Sequence, residues 1–260
     1  MTTAPLDYIP ALIAAFRAGH ASDHVHLGYW DQEQAAAPDW RGAQDAMTDL
    51  HLDALDLHSG HTVIDVGCGI GGSLRRANDR LTHSTLTGVN IDPRQLDICR
   101  TQKASHGNEF AWIHCDAGHI PLPDHSVARV LSLEAMFHFP DRQLFLSEAA
   151  RLLRPRGRLV CSDIMFDAPS TVGHAKLLDV VTQGYAPWPA PVTNSENLRI
   201  LAQNAGLVLL DMTDISTHVL PTWDHIVPPH DTPETSPVAA MRDLHRAGLL
   251  HYVISVFQKP

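Results

Sequence analysis

From residue 61 to residue 166 the chain repeats one unit: a short run of branched apolar residues ending in a turn, then a stretch with helical spacing. HTVIDVG (61–67), STLTGVNI (84–91), EFAWIHCDA (109–117), SVARVLSLEA (126–135) and GRLVCSDIMF (157–166) read as strands. GSLRRANDRL (72–81), PRQLDICRTQKASHG (93–107) and DRQLFLSEAARLLR (141–154) read as helices. Pro93 suits a first helical turn, while Gly107, Pro155 and Gly157 mark stops. Strands alternating with helices of this length predict an α/β fold, a parallel sheet covered on both faces.

The flanks are less regular. Residues 5–18 and 41–57 have the spacing of amphipathic helices, so residues 1–58 are read as an N-terminal helical lid. The cofactor-binding core is assigned to 59–165. Proline-rich and aromatic segments at 166–194 and 217–248 are read as cap inserts. SENLRILAQNAG (195–206) is a capped helix, LVLLDMTDIS (207–216) a strand and LLHYVISVFQKP (249–260) a final strand. Residues 195–216 and 249–260 thus return to the core.

Composition excludes several classes of function. The 260 residues carry 19 basic and 29 acidic side chains, a net charge of −10. That balance lacks the electrostatic footprint of a nucleic-acid binder, and no basic run suits an anionic membrane surface. The N-terminal segment has no basic region before its apolar stretch, and no run of about 18 apolar residues exists. Cys68, Cys99, Cys115 and Cys161 form no CxxC pair, and the 18 histidines are scattered, so no metal site is expected. The expectation is a cytoplasmic protein without nucleic-acid or membrane partners. The N-terminal helical arm is compatible with a homodimer contact.

Gly67, Gly69 and Gly72 satisfy GxGxxG, a loop that lets backbone approach either a dinucleotide or S-adenosylmethionine. Asp65 precedes them by two residues. A carboxylate there suits a cationic amino-acid tail and repels a pyrophosphate; alternatively it caps or holds the loop. At the end of the second strand Asn90 stands where a dinucleotide enzyme usually has an acid, and it can hydrogen-bond to a ribose diol. Asp116, after the third strand, can accept from an adenine amine, and Ala117 offers its amide to the ring.

Taken in order, these segments resemble the class I S-adenosylmethionine-dependent methyltransferases. VIDVGCGIGG (63–72) is similar to their first motif, GVNID to the second-strand motif, CDAGHIPLPDHSVARV to the segment before strand four, and LSEAARLLRPRGRLVCSDI to the helix–turn–strand motif. Arg156 stands where the family usually has Gly. The resemblance covers residues 24–165 closely. It implies a Rossmann-like sheet of seven strands with the last antiparallel, and S-adenosylmethionine as cofactor, leaving as S-adenosylhomocysteine. Tyr29, Asp65, Gly67, Cys68, Gly69, Asn90, Ile91, Gln95, Asp116, Ala117, Leu133 and Glu134 would contact it. Tyr29 and Glu134 fall near the methionine end, with Trp30 packing the lid. HLGYW (26–30) and MFHFPD (136–141) resemble small-molecule methyltransferases of bacterial natural-product pathways, including sugar O-methyltransferases and relatives acting on tocopherols or terpenoids.

Transfer of a methyl group to a hydroxyl needs alignment and a base. His138 follows the fourth strand on the ligand-binding edge and is the leading candidate, with Asp163 at the end of strand five orienting it or binding the substrate hydroxyl. Phe137, Tyr185, Trp188 and Trp223 are candidates to line the pocket of a small-molecule acceptor. Methylation of carbon or nitrogen is the alternative, and a nicotinamide-dependent oxidoreductase or a non-catalytic binding module is a remoter one.

Overall fold

The structure, a computed structural model, describes residues 8–31, 39–191 and 193–260. Strands β1 (Thr62–Val66), β2 (Thr85–Asn90), β3 (Glu109–His114), β4 (Val127–Ser132), β5 (Leu153–Phe166), β6 (Val208–Asp214) and β7 (Leu250–Gln258) form one sheet. Its order is β3-β2-β1-β4-β5-β7-β6. Strands β1 to β5 pair in parallel, and β7 runs antiparallel to both β5 and β6. The expected seven-stranded methyltransferase-like sheet is therefore formed. Strands β1 and β4 are central, and Val63, Ile64, Val130 and Leu131 have no exposed surface. Near-continuous apolar runs are what a sheet covered on both faces requires.

The chain leaves β1 toward β2 and β3 on one side and returns to β4 on the other. This reversal opens a crevice beyond the carboxyl ends of β1 and β4, where open α/β sheets bind ligands. Helices α1 (Ile9–Arg17) and α2 (Trp40–Ala54) precede the sheet, and α3 (Gly72–Arg80), α4 (Pro93–Cys99) and α5 (Arg142–Leu152) join its strands. Residues 5–7 of the first expected helix lie outside the described residues. Helix α4 ends at Cys99 rather than continuing to Gly107. The Thr101 hydroxyl donates to the Ile98 carbonyl, 2.7 Å, and the Gln102 amide to Ile70 O, 2.9 Å. Side-chain bonds of this kind compete with the helix, here turning the chain back toward the glycine loop.

The inserts are more ordered than their prolines suggest. They contain α6 (Val172–Gly184), then, beyond α7 (Ser195–Asn204), the short helices α8 (Ser216–Val219) and α9 (Trp223–Ile226) and the longer α10 (Pro237–Arg246). Helix α6 is rich in valine and glycine, poor helix formers. It is stabilised by a Thr171 cap, whose hydroxyl accepts from His174 N at 3.0 Å, and by burial of Leu178 and Val181. It packs on α10, which buries Ala239, Ala240, Met241 and Leu244. Tertiary burial here overrides weak local preference.

Arg156 adopts φ +64°, a left-handed conformation that glycine adopts freely. Such a conformation costs a non-glycine residue about 1–2 kcal/mol, offset by the roughly 0.5–1 kcal/mol of chain entropy that a glycine loses on folding. Arg156→Gly should therefore stabilise the fold by about 0.5–1 kcal/mol. A urea midpoint that rises at constant slope would show it; an unchanged or lower midpoint would mean that the turn is not strained.

Candidate active site

The loop after β1 is pressed from two sides. At Gly67 (φ +83°) a Cβ would lie 2.4 Å from the Ala135 Cβ, and at Gly69 (φ +54°) it would lie 2.5 Å from Val25 Cγ2. Only glycine fits either position, and the close approach brings the loop against the exit of β4 and the segment between α1 and α2. Asn90 holds the loop from the other side. Its amide donates to Gly69 O at 3.2 Å and to Gln95 Oε1 at 2.9 Å, while its Oδ1 accepts from Asp92 N at 3.0 Å. Both N–H groups are thus engaged, which leaves an Oδ1 lone pair and the Gln95 amide for a diol.

Two adjoining cavities fill the crevice. The first encloses about 820 Å³ and is lined by Gly67, Gly69, Asn90, Ile91, Gln95, Asp116, Ala117, Leu133 and Glu134, nine of the twelve residues singled out for a cofactor. Asp65 and Cys68 line a smaller space behind the loop together with Gly67 and Leu133. Tyr29 lines none of these spaces: its ring stacks on His218, 4.6 Å between centroids, and packs against the core. The neighbouring Trp30 donates its indole N–H to Thr222 Oγ1 at 2.9 Å, fastening the N-terminal segment to the second insert.

Three acids border the first cavity and the space behind its loop, Asp65, Asp116 and Glu134, with no Lys or Arg among the described lining residues. Asp65 is buried, and burial alone pushes its carboxyl up to about 7. Glu134 is likewise pushed up to about 7 by burial, although its Oε2 accepts from Leu27 N–H and from the Tyr252 hydroxyl, each at 2.9 Å. Neither forms an ion pair among the described residues.

The second cavity, about 930 Å³, brings together Phe137, Tyr185, Trp188 and Trp223, the four residues singled out for an acceptor. Phe137 stacks on Trp188 at 4.5 Å between centroids. Among the described residues no Lys or Arg lines this cavity. Tyr8, Val25, Glu134 and His138 line both cavities and so mark their junction. His138 Nδ1 lies 3.0 Å from Pro187 O, a group that only accepts, so Nδ1 carries the proton. Nε2 is then an acceptor, and the Tyr8 hydroxyl donates to it at 3.1 Å. Burial lowers the imidazole to about 4, so the ring is neutral near pH 7.

Asp163 lies apart from this junction. Its carboxylate is held by Arg142, Nε to Oδ2 at 2.8 Å and Nη2 to Oδ1 at 3.1 Å, in a buried fork-to-fork pair. It lines neither cavity, and the orienting contact expected between Asp163 and His138 is absent; the Pro187 carbonyl fills that position instead. Tyr8, Val25 and Arg142 escaped the sequence reading. Tyr8 meets His138 across 130 residues of chain, and no local pattern reports such a contact.

Comparison with known proteins agrees with this architecture. A family model described as a methyltransferase domain matches residues 64–161. Methyltransferase GfsG of Streptomyces halstedii is 35% identical over 217 residues, 81% of this chain and 75% of that protein. The 27-O-demethylrifamycin SV methyltransferase of Amycolatopsis mediterranei is 32% identical over 209 residues, 77% of this chain and 72% of that one. The chain belongs to the S-adenosylmethionine-dependent methyltransferases. In fold the methyltransferase also matches the solved structure of geranyl diphosphate C-methyltransferase from Streptomyces coelicolor A3(2), with TM-score 0.75 and 20% identity, over 99% of this chain and 100% of that one. Among the described residues no helix is long and apolar enough to cross a membrane.

The residues present fit the cofactor: Asp116 and Glu134 line the first cavity and Asp65 the space behind its glycine loop, with no Lys or Arg among the described lining residues, which suits a ligand of net positive charge. The sign of the pH effect follows. Raised carboxyl values mean that the empty site favours the protonated acids, while a cationic ligand favours the ionised ones. Affinity for S-adenosylmethionine should therefore rise with pH between roughly 5 and 7, by up to about tenfold per unit per carboxylate, and level off above. Binding should release protons, seen by calorimetry in buffers of different ionisation enthalpy. A flat profile would exclude these acids as counter-charges. By contrast, Asp163→Ala should act on stability, costing about 3–5 kcal/mol by stranding the buried Arg142 charge. A loss under about 1 kcal/mol by urea denaturation would show that the pair is not holding the fold.

Proposed function

We propose that the methyltransferase transfers its methyl group to a hydroxyl of an apolar small molecule of natural-product type, with His138 as the proton acceptor. The observation that carries this reading is the placement of His138 at the junction of the two cavities, with Nδ1 3.0 Å from Pro187 O and Nε2 accepting from the hydroxyl of Tyr8, another junction residue. When bound, the cofactor supplies an electrophilic methyl on sulfonium. An acceptor hydroxyl that displaces the Tyr8 hydroxyl from Nε2 would lie at that junction with its proton already engaged. As the new O–C bond forms, the oxygen becomes strongly acidic, so a weakly basic imidazole is sufficient to take its proton. The Pro187 carbonyl stabilises the imidazolium through Nδ1–H.

The cofactor side of the reading follows the lining. Asp65 and Glu134 would balance the cationic methionine portion, Gln95 and the Oδ1 atom of Asn90 would hold the ribose, and Asp116 with the Ala117 amide would bind the adenine. Asp163 would act through the fold and not on the substrate. Cation-free aromatic walls support a neutral acceptor and disfavour a diphosphate, whose charge they would leave uncompensated. The O-methylation named in the Amycolatopsis relative points the same way.

His138→Ala should lower kcat by about 10²-fold or more while S-adenosylmethionine affinity persists. Single-turnover rates with a hydroxylated acceptor provide the measurement. An unchanged chemical rate would remove His138 from the mechanism, and a product whose new methyl resonates as a C-methyl group would overturn the hydroxyl assignment.

A further inference from the structure

Four arginines, Arg129, Arg154, Arg156 and Arg158, converge on one concave pocket of about 710 Å³. They lie near the amino ends of β4 and β5, at the edge of the sheet opposite the cofactor crevice. In a chain of net charge −10 such a cluster is unexpected, since acids to pair with it are plentiful. Yet among the described residues Asp56 is the sole acid lining the pocket, with Oδ2 3.6 Å from Arg129 Nη2 and 3.7 Å from Arg158 Nη1.

The cluster is built rather than loose. Arg129 is largely buried, and it donates to Leu55 O at 2.6 Å and, through Nη2, to Asp56 O at 3.0 Å. Arg154 Nη2 donates to Ser126 O at 3.0 Å. The Arg156 guanidinium has no hydrogen-bond or ion-pair partner among the described residues, and it stands on the left-handed turn where a glycine would be unstrained. Strain held at a position whose side chain makes no internal contact is a mark of function outside the fold. The positive field is also felt nearby, because Arg129 and Arg154 add to burial in lowering the imidazole of His61.

We propose that this pocket is an anion site for a small polyphosphate, a ligand with two or more linked phosphoryl groups. Four guanidinium groups against one carboxylate leave a formal excess of three positive charges, which suits a polyphosphate better than a single phosphate. Planar arginine forks match phosphoryl oxygens two at a time. The concave shape suits a compact ligand more than the flat face of an acidic protein.

The test is titration of the full-length protein with inorganic pyrophosphate at low salt, read by thermal shift and calorimetry. A saturable rise in Tm with one-to-one stoichiometry is expected. It should be absent with potassium chloride at matched ionic strength. Arg156→Gln combined with Arg158→Gln should weaken pyrophosphate binding at least about tenfold, with S-adenosylmethionine affinity unchanged. Arg156→Gly alone, a variant expected to fold at least as well as the parent, should weaken it in the same direction. No saturable shift, an equal shift from chloride, or undiminished binding by Arg156→Gly would each overturn the proposal.

Discussion

The Glu134 carboxylate accepts from the Leu27 amide of the N-terminal segment and from the Tyr252 hydroxyl of β7. The residue's own amide donates to Ser162 Oγ of β5 at 2.9 Å, and its backbone sits at φ +52°. A non-glycine residue stays in that conformation only when its surroundings fix it from several sides. Here the N-terminal segment, the end of β4 and two further strands do so. These same contacts bury the acid without a positive partner among the described residues, so the group that ties the N-terminal segment to the sheet is also one that favours a cation in the crevice. Asp65, behind the glycine loop, repeats the logic with no side-chain hydrogen bond among the described residues to share the charge.

How much of this can be read from sequence depends on the range of the interaction involved. Branched apolar runs and helix stops are local, and they report the sheet from β1 to β5 together with its connecting helices. The glycine loop is legible as a local motif, and the close approach of Ala135 and Val25 leaves no room for a Cβ at Gly67 or Gly69. Helix α4 is overextended because the bonds from Thr101 and Gln102 that end it lead to a neighbouring carbonyl and to the loop. Helices α6 and α10 go unread because each is stable chiefly through burying the other's apolar face.

Partnerships inside the site are harder still. His138 and Asp163 follow adjacent strands on one edge, so pairing them is the natural inference from topology. The actual partners are chosen by groups that no motif contains. Arg142, the first residue of α5, takes both oxygens of Asp163 from 21 positions away, and Pro187, in the first insert, fixes His138 from 49 positions away. Arginine outcompetes imidazole for a buried carboxylate because its fork satisfies two oxygens at once and its charge is permanent. Burial keeps the basicity of His138 low, and the Pro187 carbonyl fixes its tautomer.

This division of labour separates the two cavities by origin. The cofactor cavity is walled mainly by strand ends and the glycine loop, the rigid parts fixed by the sheet. The acceptor cavity is walled by Tyr185, Trp188 and Trp223 from the inserts and by the segment between α1 and α2. Insert residues can change without disturbing sheet register, so acceptor choice is free to vary while the cofactor site persists. The constraint falls on the shared residues. Val25 abuts Gly69, Glu134 anchors the N-terminal segment, and Tyr8 caps the Nε2 atom of His138. On the hydroxyl transfer proposed above, an acceptor would enter by exchanging one hydrogen bond at Nε2 for another, which would select molecules that bring a hydroxyl to that point and an apolar body to the aromatic walls.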